Sequence, residues 1–357
     1  MLTKVLCYSI FFPAKYDQTS AEALPLLVSI HGGGFCLGQA RDIDAWNRTF
    51  SDKFQVLVVS LNYSKAPLAP FPTGLYDLEA VILAVLADES LPIDRSSYSS
   101  RQGLSRTAIA GFSAGGNLAL AVSQLPSIRT HPLAPAAAVS VYGCVDLSVP
   151  PRDKARNRPY KPTMGPPRGG PTDGLLRLCP TFDWSYIPYG HDLRDPLLSP
   201  AYARREDLPP FVCLVAAELD MIAHEGWRMA CRLSHEGAGG GAQGRRVPDR
   251  ESEDPAERIC GQEEVSDRLD TLQGAAEEDE DEDGAADERF GFEDAWARGG
   301  VKWLLVQDVM HGFDNAEVRE ATAMGDRETV RDAQVKTRLY MDELGSWLRS
   351  KVWGLQV

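Results

Sequence analysis

The sequence predicts an α/β fold, a mostly parallel sheet with helices on both faces. Two observations carry that expectation. Short apolar runs alternate along the chain with longer amphipathic ones, the pattern of strands joined by helical crossovers. The apolar runs are rich in Val, Ile, Leu and Ala with little in–out alternation, as befits strands covered on both faces. Composition is compatible with this: 357 residues, 43% hydrophobic and 25% charged, suffice to bury a substantial core with a pocket in it.

Taken in order, strands are expected over residues 4–12, 26–30, 56–61, 107–110, 137–142, 211–216 and 301–306. Helices are expected over 43–54, 75–88, 114–124, 224–235 and, at the end, 328–351. Two segments break the rhythm. Residues 146–205 are rich in Pro and Arg, carry Trp184, Tyr186 and Tyr189, and contain no clear strand. They are expected to make an excursion over the top of the sheet. Residues 237–289 open with Gly-Ala-Gly-Gly-Gly and include the unbroken acidic run 277–283. With few large apolar residues they cannot bury enough surface to offset their ordering entropy, and a disordered loop inserted before the last strand is expected. A tolerated surface insertion is favoured over an acidic interaction tail.

That insertion also explains the charge. It holds 18 Asp/Glu, six Arg and no Lys, so −12 of the formal net charge of −14 lies there and the remainder is nearly neutral. No basic stripe suited to nucleic acid is present. The seven cysteines are scattered and lack CxxC spacing, which argues against a disulfide framework or a zinc site and for a reducing compartment. The apolar stretch 5–12 is short, follows one Lys and precedes no small-residue cleavage site, so it reads as a strand rather than a leader. No apolar run approaches the roughly 18–20 residues of a membrane span, and a cytoplasmic location is the default expectation.

The chemistry centres on Gly111-Phe112-Ser113-Ala114-Gly115-Gly116, set between an apolar strand and a helical run. That strand–turn–helix setting is what a nucleophile elbow requires, with glycines flanking the serine because the backbones must approach closely. By itself the motif is weakly specific. A second motif, His31-Gly32-Gly33-Gly34-Phe35, follows directly on the strand over 26–30. Consecutive glycines there let backbone N–H groups face a cavity, where they can hold the negative oxygen that forms when an ester carbonyl is attacked. The bland alternatives are a merely flexible turn or a phosphate cradle, and against the latter GxxxxGK is absent. Together, in this order, the two motifs are strongly specific.

A serine hydroxyl needs a base, and the base needs a carboxylate to orient it. Of six histidines, His31 belongs to the glycine loop, His131 and His191 precede the last strands, and His224 and His235 lie on a predicted helix. His311 alone sits just after the final strand, in Met310-His311-Gly312-Phe313, where a side chain faces the crevice at a sheet's carboxyl end. For the acid, Asp220 follows the strand over 211–216 directly; Glu218 is its rival, and helix capping is the bland reading.

At this point the chain resembles the hormone-sensitive-lipase-like group of α/β hydrolases. The resemblance rests on HGGGF at 31–35, NYSKAPLAPFP at 62–72, GFSAGG at 111–116, AELDMIAHEG at 217–226 and MHGFDN at 310–315, in the family's order. It covers most of the chain outside the insertion and the middle of 146–205. It implies the α/β-hydrolase fold, Ser113 as nucleophile, Asp220 as acid, His311 as base, and Gly33, Gly34 and Ala114 as oxyanion-hole donors. It implies that 62–72 supports the glycine loop and that 146–205 forms part of a cap. The expected division is a first core segment (1–145), a cap-like excursion (146–205), core again (206–236), the acidic insertion (237–289), and a closing core segment (290–357). Three departures stand out: Phe112 where the family usually has Asp or Thr, Met221 where it usually has Pro, and a long interval from Asp220 to His311. The chain also begins at what the resemblance makes the second strand, so a first strand and N-terminal cap helices are expected to be missing.

The function expected from these residues is hydrolysis of small carboxylic esters through an acyl-enzyme, with no metal or organic cofactor called for. Short-to-medium acyl chains are expected from the family. Two other classes use related folds: a non-catalytic ligand-binding protein, against which His311 counts, and a lyase or dehydratase that keeps the oxyanion hole.

Overall fold

A computed structural model describes residues 8–20, 22–96, 103–238 and 288–356. Its centre is an eight-stranded sheet. The strands are β1 (Tyr8–Phe11), β2 (Leu26–Ile30), β3 (Leu57–Leu61), β4 (Thr107–Phe112), β5 (Ala137–Val141), β6 (Phe211–Ala217), β7 (Gly291–Trp296) and β8 (Gly299–Val306). They lie in the order β1-β3-β2-β4-β5-β6-β8-β7. The two edge strands, β1 and β7, run antiparallel to their neighbours, and all other pairs are parallel.

Each interior strand from β2 to β6 is buried along its whole length. Successive side chains still point to opposite faces, so both faces must be covered. On one face Leu27, Val58, Ala108 and Val139 meet Trp46, Phe50 and Phe54 of α1 (Asp44–Phe54) and Tyr340, Leu344 and Trp347 of α9 (Arg327–Trp347). On the other, Leu26, Val28, Val59 and Ile109 meet Leu75, Leu78 and Ile82 of α2 (Thr73–Ala87) and Leu118 and Val122 of α3 (Ala114–Ser123). Further along that layer, Val212, Leu214, Val301 and Trp303 pack on Trp227, Ala230 and Leu233 of α7 (Ala223–Gly237). The missing in–out alternation in the sequence is therefore the mark of double coverage. The shorter helices are α4 (Pro126–Arg129), α5 (Pro151–Lys154), α6 (Cys179–Tyr186) and α8 (Ala316–Thr322).

Some elements differ from expectation. β7 was not anticipated: Gly-Phe-Glu-Asp-Ala-Trp buries only Phe292 fully, as an edge strand can, and its pattern is too polar to announce itself. The last long helix gives way at Leu348 to a π-helical turn through Val352 that buries Leu348 and Val352. Gly237, expected to open the insertion, instead closes α7. Residues 239–287 of the expected disordered insertion lie outside the described residues, as do residues 4–7 of the first strand run.

Residues 146–205 contain no strand among the described residues, only α5, α6 and short turns. They rest on the loops at the carboxyl ends of the strands. Tyr186 stacks on Phe35 at 3.8 Å between ring centroids, and the Phe71 N–H donates to the Tyr186 carbonyl. Lys154 pairs with Glu225 at 2.6 Å, and Lys161 with both Glu218 and Asp308. Of the three aromatic residues singled out there, Tyr186 is buried while Trp184 and Tyr189 are exposed to solvent.

Candidate active site

β4 ends at Phe112 and α3 begins at Ala114, so the whole reversal falls on Ser113. Its backbone takes φ 55° and ψ −120°, a conformation that costs a non-glycine residue about 1–3 kcal/mol and persists only where its surroundings enforce it. They do so here. The Ser113 N–H donates to the Val141 carbonyl of β5 at 2.9 Å, and the Ser113 carbonyl accepts from Gly116 N–H at 2.8 Å. A Cβ at Gly111 would overlap the Gly115 carbonyl oxygen, and one at Gly115 would overlap the Ile30 carbonyl of β2. The two glycines of the motif are thus demanded by close approach of strand, turn and helix.

The Ser113 hydroxyl meets Nε2 of His311 at 2.8 Å, and Nδ1 of His311 meets Asp220 Oδ2 at 2.6 Å. A carboxylate only accepts, so Nδ1 carries a proton and donates it to Asp220, leaving Nε2 free to accept from the serine. The three side chains come from the carboxyl ends of β4, β6 and β8, brought together because these strands lie near one another in the sheet. Asp220 Oδ1 also accepts from Ile222 N–H at 3.1 Å, and the Asp220 side chain is fully buried. Glu218 points elsewhere: its Oε2 accepts from Lys161 at 2.7 Å and from the Asp308 N–H at 2.9 Å. His131 accepts from Leu133 N–H, and His191 pairs with Asp195.

Burial by itself pushes the His311 pKa down. Asp220, in charge and hydrogen bond, together with the charges of Asp173 and Asp314, more than offsets it, and the imidazole is held above its ordinary value. Asp314, three residues on in MHGFDN, accepts hydrogen bonds from the hydroxyls of Tyr142 and Tyr340, and Trp46 Nε1 donates to Tyr340 at 2.7 Å. The Tyr142 ring lies 4.8 Å from the His311 ring, so this buried network forms one wall beside the imidazole. Sequence reasoning missed Tyr142, Tyr340 and Asp173 in this setting. Asp314 had a signal, its place in the histidine motif, but no sequence pattern ties it to two tyrosines so distant in the chain.

The glycine loop closes beneath the serine. Gly33 and Gly34 have φ of 110° and 58°, and the Gly33 carbonyl accepts from Leu37 N–H at 2.8 Å, making a tight turn. Among the described residues, the amides of Gly33, Gly34 and Ala114 have no acceptor within the protein, and Ala114 N–H is at the positive end of α3. The 62–72 turn buttresses the loop: Tyr63 stacks on His31 at 4.7 Å, His31 Nε2 faces Asn62 Oδ1 at 3.2 Å, and Ala66 N–H donates to the Phe35 carbonyl. Burial, with the nearby Lys65 charge, lowers the His31 pKa to about 4, so this histidine is a neutral structural member. From above, the Phe182 ring of α6 lies against Gly34. Among the described residues no group of three or more His, Cys, Asp or Glu is placed to hold a metal ion.

The comparisons with known proteins bear on the family and the fold. A family model described as the alpha/beta hydrolase fold matches residues 27–249, and the chain belongs to that family, in its hormone-sensitive-lipase-like group. An arylesterase of Saccharolobus solfataricus is 32% identical over 213 residues, 59% of this chain and 63% of that protein. An acetyl-hydrolase of Streptomyces hygroscopicus is 28% identical over 206 residues, 58% of this chain and 59% of its own length. The chain thus spans about three fifths of the length of these curated relatives. The solved structure of EstE1, a thermostable carboxylesterase from a metagenomic library, superposes with a TM-score of 0.60 at 21% identity, covering 99% of this chain and 90% of that one. Among the described residues no helix is long and apolar enough to cross a membrane.

Proposed function

We propose that this chain is a serine esterase that cleaves small carboxylic esters through an acyl-enzyme intermediate. The observation that carries the reading is the unbroken hydrogen-bonded path from Ser113 through His311 to Asp220, beside the amides of Gly33, Gly34 and Ala114, which have no acceptor among the described residues. His311 takes the Ser113 proton as the hydroxyl oxygen attacks the ester carbonyl. The oxygen that becomes negative is held by the three amides. The tetrahedral intermediate collapses as His311 gives its proton to the departing alcohol. A water molecule, deprotonated by the same imidazole, then attacks the acyl-enzyme and releases the acid. Asp220 remains ionised throughout, fixing the tautomer and stabilising the imidazolium.

Residues 146–205 act in this reading as a cap over the carboxyl ends of the strands, with Phe182 against the oxyanion loop. The matched relative named an acetyl-hydrolase supports a short acyl group in the substrate, and the one named an arylesterase supports an ester. The test is release of p-nitrophenol from its acetate and butyrate esters by the purified chain and by Ser113→Ala. Turnover that disappears in the variant supports the reading. A folded wild-type chain that binds ester analogues tightly without turnover would replace it with a ligand-binding role.

A further inference from the structure

Asp220 occupies a turn whose peptide groups are held from two sides. From below, Leu219 N–H donates to the Val309 carbonyl at 3.0 Å and Asp220 N–H to the Ala217 carbonyl at 3.2 Å. From above, two side chains of the 146–205 segment reach the groups that flank Asp220. Arg158 Nε donates to the Leu219 carbonyl at 3.2 Å, and Asp173 Oδ2 accepts from the Met221 N–H at 2.8 Å. Asp173 stands 48 positions earlier in the chain, so this is a tertiary bond and no local turn.

Both clamping side chains are buried, Asp173 at 7% and Arg158 at 9% exposure. They face each other at 3.8 Å, and each is otherwise satisfied: Arg158 donates to the Gly170, Pro159 and Arg168 carbonyls, while Asp173 Oδ1 accepts from Leu175 N–H. A buried carboxylate that spends one oxygen on a neighbouring turn and the other on the turn of the candidate acid is tied to both. A proline at the position of Met221 would have no N–H to offer.

We infer that Asp173 is a positioning residue for Asp220: through the Met221 amide it fixes the acid turn, and with it the Asp220–His311 hydrogen bond. The inference rests on the esterase reading of the site. A shift of about 1 Å in a catalytic group can cost on the order of 100-fold in rate. Asp173→Ala frees the Met221 amide and lowers kcat at least about tenfold on p-nitrophenyl butyrate, with KM within about twofold, because the groups that bind the ester are untouched. Met221→Pro removes the N–H that Asp173 serves, so adding Asp173→Ala in that background costs less than about twofold, a non-additivity that a merely structural role does not produce. Asp173→Asn keeps the shape but cannot accept from both Leu175 and Met221; it repeats the comparison should the alanine variant fail to fold.

The far-downfield proton resonance of His311 Nδ1 reads the same geometry without substrate. It moves or broadens in the Asp173 variants and does so much less in the Met221→Pro background, where only the loss of the Asp173 charge near His311 remains. Equal losses in both backgrounds, or an unmoved resonance with kcat within twofold of wild type, overturn the inference. Wild-type ester turnover and its loss in Ser113→Ala test the esterase reading separately, so a failure of one is not mistaken for a failure of the other.

Discussion

Gly34→Ala is the perturbation that bears most sharply on the proposed oxyanion loop. Two costs follow from its position. Gly34 has φ 58°, a left-handed conformation in which an L-residue costs roughly 1–2 kcal/mol. A Cβ there would also stand 2.5 Å from Cγ of Phe182, against an ordinary carbon–carbon contact of about 3.5–4.0 Å, so ring or loop must yield by about 1 Å. If the loop yields, the Gly33 and Gly34 amides leave the positions from which they would hold the oxyanion. Loss of one such donor costs about 2.7–4 kcal/mol, or 100- to 1000-fold in kcat. Steady-state hydrolysis of p-nitrophenyl butyrate by Gly34→Ala, Phe182→Ala and the double variant separates the two costs. The single glycine variant loses about two to three orders in kcat, and the double variant recovers part of that because the overlap is gone while the backbone strain remains. Gly34→Ala with kcat within threefold of wild type and unchanged thermal stability would refute the placement of the oxyanion donors.

Other consequences can be checked in the same preparations. Asp220→Asn keeps the shape of the acid but removes the charge that fixes the His311 tautomer, and kcat is expected to fall by about 10⁴-fold with little change in melting temperature; a loss under tenfold would shift the acid role elsewhere. Only neutral imidazole accepts the serine proton, and His311 is held above the ordinary 6.5, so the acid limb of kcat/KM lies above pH 6.5. Asp314→Asn removes one of the charges that raise it, and the limb moves to lower pH; a limb that stays put denies Asp314 that influence. Lys154 and Glu225 are paired with about 7% and 8% of their side chains exposed, so Lys154→Ala strands a buried carboxylate and should cost about 3–5 kcal/mol by denaturant unfolding; a cost below 1 kcal/mol would mean that water or another cation replaces it.

Much of this architecture was legible in the sequence, for identifiable reasons. The strand over 26–30 and the helix beginning at Ala114 were recovered because unbroken apolar runs and the flanking Gly and Ser residues are local signals. Ser113, His311 and Asp220 could be chosen because each follows directly on such a strand, so fold and chemistry pointed to the same positions. β7 escaped because an edge strand with one solvent face needs few apolar residues. Tyr142, Tyr340 and Asp314 escaped as a group because their meeting depends on where α9 packs, and that is fixed by the whole core. Asp173 could not be found at all: its partner is a backbone N–H, and a backbone amide leaves no mark in a sequence beyond the absence of proline.

The most direct test of the triad is covalent. The purified chain is treated with a fluorophosphonate, and the adduct is located by mass spectrometry of the digested protein. Ser113 activated by His311 gives one phosphonyl group per chain, on the peptide that contains Ser113, and the reaction stops in Ser113→Ala and becomes very slow in His311→Ala. An adduct elsewhere, or none on a folded wild-type chain, would contradict the assignment of Ser113 as an activated nucleophile.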